Sequence, residues 1–311
     1  MVKRMAATLV AAACTSASAC VIVPTAHADT SHAPAKRVVS INLCTDQLVV
    51  DLVERERIAG LSRLAADPAL SAIADRAKNF KLLRGQSEEV LALKPDVVLT
   101  SAYSTPEVVA MLRRIGVRVE VIDMARDLDG IRTAIRQVAK AVGEVARGEA
   151  LIADFDRRIA AAAPRGSLRP SALAYQVNSL TAEPGELMDA AISAAGLKNV
   201  ARLHRLGPAG RLPLETLIAH PPDLVVLGHD PDRYRTAMAD NLRHRAFRSL
   251  LARRPHVHVP MPLWLCGTPA IASAIEELGR ERALLMHAAV GAEAVGRPID
   301  ADEGGAPALR Q

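Results

Sequence analysis

The stretch LALKPDVVLT, residues 91–100, reads as a helix end, a proline turn, an aspartate and an apolar strand. A near copy, LIAHPPDLVVLG, stands at residues 217–228. Proline lacks a backbone donor and pushes the residue before it away from helical geometry, so each segment marks a passage from helix to strand. The likeness extends upstream. Glu88–Leu99 and Glu215–Val226 align without a gap, and each glutamate stands eight residues before its aspartate, Glu88 before Asp96 and Glu215 before Asp223. One Pro-Asp turn recurs easily by chance. Helix, turn, strand and glutamate spacing together point to an internal repeat.

Outward from these two anchors the same grammar continues. On the N-terminal side, RVVSIN (37–42) is a short apolar strand, and CTDQLVVDLVERERI (44–58) reads as a helix with Thr45 or Asp46 as its N-cap. Residues 58–62 and 97–100 read as strands, 107–115 as a helix closed by Gly116, 117–122 as a strand and 128–143 as a helix. Residues 144–163, EVARGEALIADFDRRIAAAA, put Ile152, Phe155, Ile159 and Ala162 on one helical face, a rod of about 30 Å. Pro164, Gly166 and Pro170 break the chain, and alternation resumes with a strand at 172–177, helices at 187–195, 215–219 and 245–252, strands at 224–227 and 257–259, and a long helix at 269–289.

Strand–helix alternation implies parallel sheets covered by helices. The expected fold is α/β: two Rossmann-like lobes with parallel sheets, residues 37–143 and 168–290, joined by one long α-helix over 144–163, with a cleft between the lobes. Ligands of such sheets bind at the carboxyl ends of the strands. The loops there in the first lobe are 42–47, 63–68, 84–87, 101–106 and 123–127.

The ends of the chain read differently. Residues 1–28 carry Lys3 and Arg4, a mostly apolar or small stretch, and Ala26-His27-Ala28 before Asp29, the pattern of a secretory signal peptide with its cleavage site. Neither Cys14 nor Cys20 has the Leu three residues earlier that lipoprotein signals usually carry. Removing the segment takes two positive charges from the net +5 and leaves +3, with Cys44 and Cys266 as the remaining cysteines. Export implies an oxidising compartment in which the two can pair. The tail 291–311, full of Ala, Gly, Asp and Glu, reads as disordered. Charges are scattered with no basic run interleaved with aromatics, which argues against nucleic acid.

RVVSINLCTDQL, LRGQSEEVLALKPDVVLT, the mid-chain helix, RLPLETLIAHPPDLVVLG and PLWLCGTP together resemble the helical-backbone periplasmic binding proteins of ABC importers for cobalamin, haem and iron–siderophore chelates. The resemblance spans roughly residues 37–285. It implies a periplasmic monomer that captures a chelate or macrocycle and hands it to a permease dimer, with no cofactor beyond any metal inside the chelate. It also implies that a glutamate on each lobe docks into arginine pockets of the permease. The matching positions are Glu88 and Glu215; as bare residues, each is equally an exposed acid in the first turn of its helix, where the dipole favours it.

Candidate ligand contacts follow from the cleft loops. Asn42, Cys44, Thr45, Asp46 and Gln47 follow the first strand, and Thr45 or Asp46 alternatively caps the helix. Arg84 and its second-lobe counterpart Arg211 are guanidinium candidates for an anionic ligand group or plain surface residues. Tyr103, Tyr175 and Trp264 matter because aromatics make up only 2% of the chain, and a ring in a cleft loop offers a stacking surface to a flat ligand. The family's siderophore binders often carry an arginine where this chain has Ala270, which weakens a purely anionic catecholate ligand. Cys44 and Cys266 face the cleft from opposite lobes as a disulfide, as free thiols or as small packing residues. A bare metal site lacks support: His256 and His258 stand at i, i+2 without a third ligand nearby. The competing function is an exported two-lobed enzyme with Cys44 as nucleophile, although the chain has no G-x-S-x-G, Walker loop or G-x-G-x-x-G.

Overall fold

A computed structural model describes residues 34–295 other than 103, 105, 165 and 231–235. The expected signal segment and Tyr103 therefore lie outside the described residues. The first lobe contains β1 (Val38–Ser40), α1 (Leu43–Leu52), β2 (Ile58–Ser62), α2 (Ala74–Ala77), β3 (Leu82–Leu83), α3 (Ser87–Leu91), β4 (Val97–Ser101), α4 (Pro106–Arg114), β5 (Val119–Ile122) and α5 (Leu128–Val142). A single helix, α6 (Val145–Ala162), crosses to the second lobe. That lobe contains β6 (Ser171–Ala174), α7 (Leu187–Ala194), β7 (Lys198–Asn199), α8 (Leu214–Ala219), β8 (Leu224–Leu227), α9 (Asp240–Arg243), α10 (Arg245–Leu251), β9 (His256–His258) and α11 (Ile271–Val295).

The sheets run β3-β2-β1-β4-β5 and β7-β6-β8-β9. Each neighbouring pair of strands is parallel. The second sheet thus repeats the β2-β1-β4-β5 order of the first. The repeated aspartate has a structural task in both. Asp96 Oδ2 accepts hydrogen bonds from the backbone N–H groups of Lys36 (2.7 Å) and Arg37 (2.9 Å), just before β1. Asp223 Oδ2 accepts from the N–H (2.8 Å) and hydroxyl (2.7 Å) of Ser171, which opens β6. Each Pro-Asp turn therefore fastens the start of one central strand to the start of its neighbour, supplying an acceptor to donors at the head of that strand.

Alternation along the strands divides the interior. Val38, Val97, Leu99, Ala172, Ala174, Leu224 and Val226 join one core that runs through both lobes, together with Ile152 and Phe155 of α6 and Ile275 and Leu278 of α11. Their neighbours face outward into separate satellites: Val39 and Val98 in the first lobe, Leu173, Tyr175, Val225 and Leu227 in the second. The period of two sends successive side chains to opposite faces. Because the shared core spans both sheets, the described residues of the two lobes form one compact unit. Arg158 of α6 also forks onto Glu276 of α11, at 2.8 and 2.9 Å, and donates to Ser273 at 2.8 Å.

Several elements differ from expectation. The first helix ends at Leu52, because Val53 is extended and residues 55–57 tighten into a 3₁₀ turn. Its N-cap is Asn42, whose side chain accepts from the Cys44 N–H at 3.0 Å. Neither Thr45 nor Asp46 caps it, since both already lie inside its first turn. The final helix continues to Val295, past Gly291, where the tail was expected to begin. Alanine and glutamate are strong helix formers, and a single glycine costs only about 1 kcal/mol, so the helix passes through it. Among the described residues no helix is long and apolar enough to cross a membrane.

Candidate functional site

The carboxyl ends of both sheets converge on a seam between the lobes. A cavity of about 240 Å³ opens there. The first lobe contributes Met124 and Arg126, from the loop after β5, and the second contributes Glu186 and Met188, where α7 begins, with Met261 and Trp264 from the segment after β9. Arg126 is exposed, while Met124, Glu186, Met188 and Met261 are half-buried. Trp264 is only 2% exposed, and its indole Nε1 has no hydrogen-bond acceptor among the described residues. A buried N–H without an acceptor costs about 1–3 kcal/mol, so this donor is suited to an acceptor brought by a ligand or water.

The seam is fastened beside the cavity. Cys44 and Cys266 form a disulfide with Cα atoms 5.2 Å apart. Three residues from Cys44, the Gln47 side-chain Oε1 accepts from the Thr268 hydroxyl at 3.4 Å. Gly267 lies so close to the first lobe that an added Cβ would fall 2.3 Å from the Ala125 Cβ. Glycine is required here for the close approach of the two lobes, not for an unusual backbone angle.

The sequence-derived candidates separate cleanly. Trp264 lines the cavity. Asn42 and Cys44 are half-buried at the start of α1, and Cys44 is committed to the disulfide, which removes it as a nucleophile and so removes the enzymatic alternative's proposed group. Cys266 is fully buried in the same bridge. Thr45, 1% exposed, shares a 2.7 Å hydrogen bond with Ser40. Tyr175 faces away from the cleft: it sits on the outer face of the second sheet, packed on Phe247 with ring centroids 5.0 Å apart, and its hydroxyl pairs with Ser179. The correction follows from register, since Ala174 takes the inward position and Tyr175 the opposite one. Arg84 and Arg211 are exposed and absent from the cavity lining. His256 and His258 flank the buried Val257 on the outer edge of the second sheet. Among the described residues no group of three or more His, Cys, Asp or Glu side chains is placed to hold a metal ion.

Asp46 has a different role from the one expected. It is completely buried, and its carboxylate accepts from the backbone N–H and hydroxyl of Ser62 at the end of β2. Burial pushes its pKa up to about 7, only partly offset by the hydrogen bonds from Ser40 and Ser62. The folded chain therefore holds this proton over a range in which the unfolded chain, with an ordinary value of 3.8, has lost it. The stability it contributes is fully present below about pH 4 and is lost as pH rises to about 7. Asp46→Asn supplies an acceptor to the Ser62 N–H and a donor to its hydroxyl without ionising. The expected outcome is that melting temperature falls less between about pH 5 and pH 8 in the variant than in the parent, read by calorimetry at each pH. Equal slopes would contradict a titrating Asp46.

Glu88 and Glu215 occupy matching places. Each stands in the first turn of the helix that leads back to a central strand, α3 before β4 and α8 before β8, and each is exposed. In a parallel sheet such helices start at the carboxyl-end rim, so both acids lie on the side where the seam opens.

The residues that reasoning from sequence missed are Met124, Arg126, Glu186, Met188 and Met261. A signal was available for the first two, which fall in the expected cleft loop 123–127. Nothing in the pattern separated Met188 from an ordinary helical core residue.

Solved structures share this architecture. The chain superposes on the periplasmic haem-binding protein BhuT in complex with two haems with a TM-score of 0.63 and 26% identity, covering 81% of this chain and 99% of that one. For the periplasmic vitamin B12 binding protein BtuF of Vibrio cholerae the TM-score is 0.61 with 16% identity, covering 81% and 98%, a likeness of fold alone. A cobalamin-binding protein of Halobacterium salinarum is 27% identical over 203 residues, 64% of this chain and 55% of that protein. The chain thus spans about half the length of the curated relative it matches. Residues 38–252 match the periplasmic binding protein family, well over half of the sequence, and the chain belongs to that family.

Proposed function

We propose that this chain is the solute-binding component of an ABC importer, acting in the periplasm as a monomer after removal of residues 1–28. It captures a metal chelate or macrocycle between its lobes and delivers it to a permease dimer. The observation that carries this reading is the cavity lined from both lobes at the carboxyl ends of two repeated parallel sheets. A ligand held there touches both halves at once, and a disulfide-fastened seam with a continuous core favours small adjustments over wide closure. Haem, cobalamin and ferric siderophores are the ligand classes, supported by family membership and, for the first two, by a haem-binding and a cobalamin-binding relative. The expected action is binding without turnover.

A melting experiment with hemin, cyanocobalamin and a ferric hydroxamate siderophore tests this reading. A ligand present at about a hundredfold its Kd adds about 2.7 kcal/mol to stability, which raises the melting temperature of a chain this size by about 5–10 °C. At least one chelate class is expected to do so. No shift with any of the three would remove the reading.

A further inference from the structure

The wall of the seam cavity has an unusual composition. Six methionines follow residue 28, and three of them, Met124, Met188 and Met261, line this one cavity together with Trp264. They come from three different segments and from both lobes, so helical periodicity within one element does not explain their meeting. The position of Met261 is also built for: a Cβ on Gly228, after β8, would fall 2.7 Å from its sulfur and 2.3 Å from Gln176 Oε1, so glycine leaves the thioether its place. All three methionines are half-buried, accessible to small solutes yet part of the wall. A thioether is apolar, polarisable and free to rotate, and it suits the flat face of a macrocycle. In a chain with one tryptophan, methionine supplies the contact surface that aromatic rings would otherwise give.

We propose that Met124, Met188 and Met261 form the chelate-contacting wall and that their oxidation to sulfoxides switches capture off. The inference rests on the proposed binding function. In the step, a peroxide transfers one oxygen atom to the thioether sulfur: the O–O bond breaks, the S=O bond forms, and ROOH leaves as ROH. The sulfur is oxidised by two electrons and the peroxide reduced by two. The product side chain is polar and chiral, and a methionine sulfoxide reductase restores the thioether. Oxidised, the wall presents three S=O dipoles to an apolar ligand face, which then lacks partners for them.

The experiment is peroxide footprinting of the whole chain, with sulfoxides located by mass spectrometry, in the presence and absence of the chelate that raises its melting temperature. Gallium(III) protoporphyrin replaces hemin, because gallium does not cycle with peroxide. The bound probe is expected to slow sulfoxide formation at Met124, Met188 and Met261 by about five-fold or more and to leave Met111, an exposed methionine outside the cavity, unchanged. Chain oxidised beforehand is expected to bind about ten-fold more weakly and to recover after reductase treatment. The triple variant M124L/M188L/M261L has an apolar wall without oxidisable sulfur, so whatever affinity it has before peroxide is expected to be the same after it. Unchanged affinity with all three sites oxidised, equal protection of Met111, or peroxide-sensitive binding by the triple variant would overturn the inference while leaving the binding function intact. Failure of every chelate to shift melting is a different result and counts against the function itself.

Discussion

Replacing Cys44 and Cys266 together by serine is expected to lower the stability of the chain by about 5 kcal/mol. The bridge joins residues 222 apart, so it closes nearly the whole fold into one loop and removes a large part of the freedom of the unfolded chain. It also secures the seam at the point where the first turn of α1 meets the segment before α11, beside the Gln47–Thr268 hydrogen bond and the Gly267–Ala125 contact. For a chain of this size the loss corresponds to a fall in melting temperature of about 10–20 °C. Calorimetry of the double variant, and of the parent with and without a reductant, reads it. Melting within about 2 °C of the parent would mean that packing of the shared core holds the lobes and that the bridge adds little. Because the unfolded state carries most of the effect, the folded double variant should still accept the chelate.

Much of this fold could be read from the repeat. The Pro-Asp turns fixed the helix-to-strand passages, and glycines closed helices where the backbone needs a left-handed residue, as at Gly143 with φ 77°. What could not be read depended on partners distant in sequence. Strands β3 and β7 have two residues each, too short to show a period, and exist only because longer neighbours pair with them. Asp46 looked like a helix cap or a ligand group; its task is to meet Ser62, sixteen residues on, inside the lobe. Tyr175 was legible in principle, since its alternation with Ala174 already assigned the two to opposite faces of the sheet. The methionine wall was not, because three separated segments meet only in the folded chain. The aspartates were noticed as a repeat, while their role in tying Lys36, Arg37 and Ser171 to neighbouring strands needed the structure.

The repeat is also where function and fold meet. Glu88 and Glu215 stand at equivalent, exposed positions on the rims of two sheets of the same plan, each in the first turn of a short helix. A chain with two similar faces can present the same charge twice to a permease built from two similar subunits, and carboxylate–guanidinium pairs with forked geometry suit such docking. Each hydrogen bond to a charged group contributes about 1.5–3 kcal/mol. On the docking proposal, with one such bond per lobe, losing both is expected to weaken docking by about a hundred- to ten-thousand-fold, enough to stop transport at ordinary concentrations. The seam cavity is lined by neither glutamate, so capture itself should be untouched. The most direct measurement is chelate import into proteoliposomes carrying the cognate permease, driven by the parent chain or by Glu88→Ala/Glu215→Ala, with chelate affinity measured on the same preparations. The account predicts unchanged affinity and no import by the double variant; import at the parent rate would contradict it.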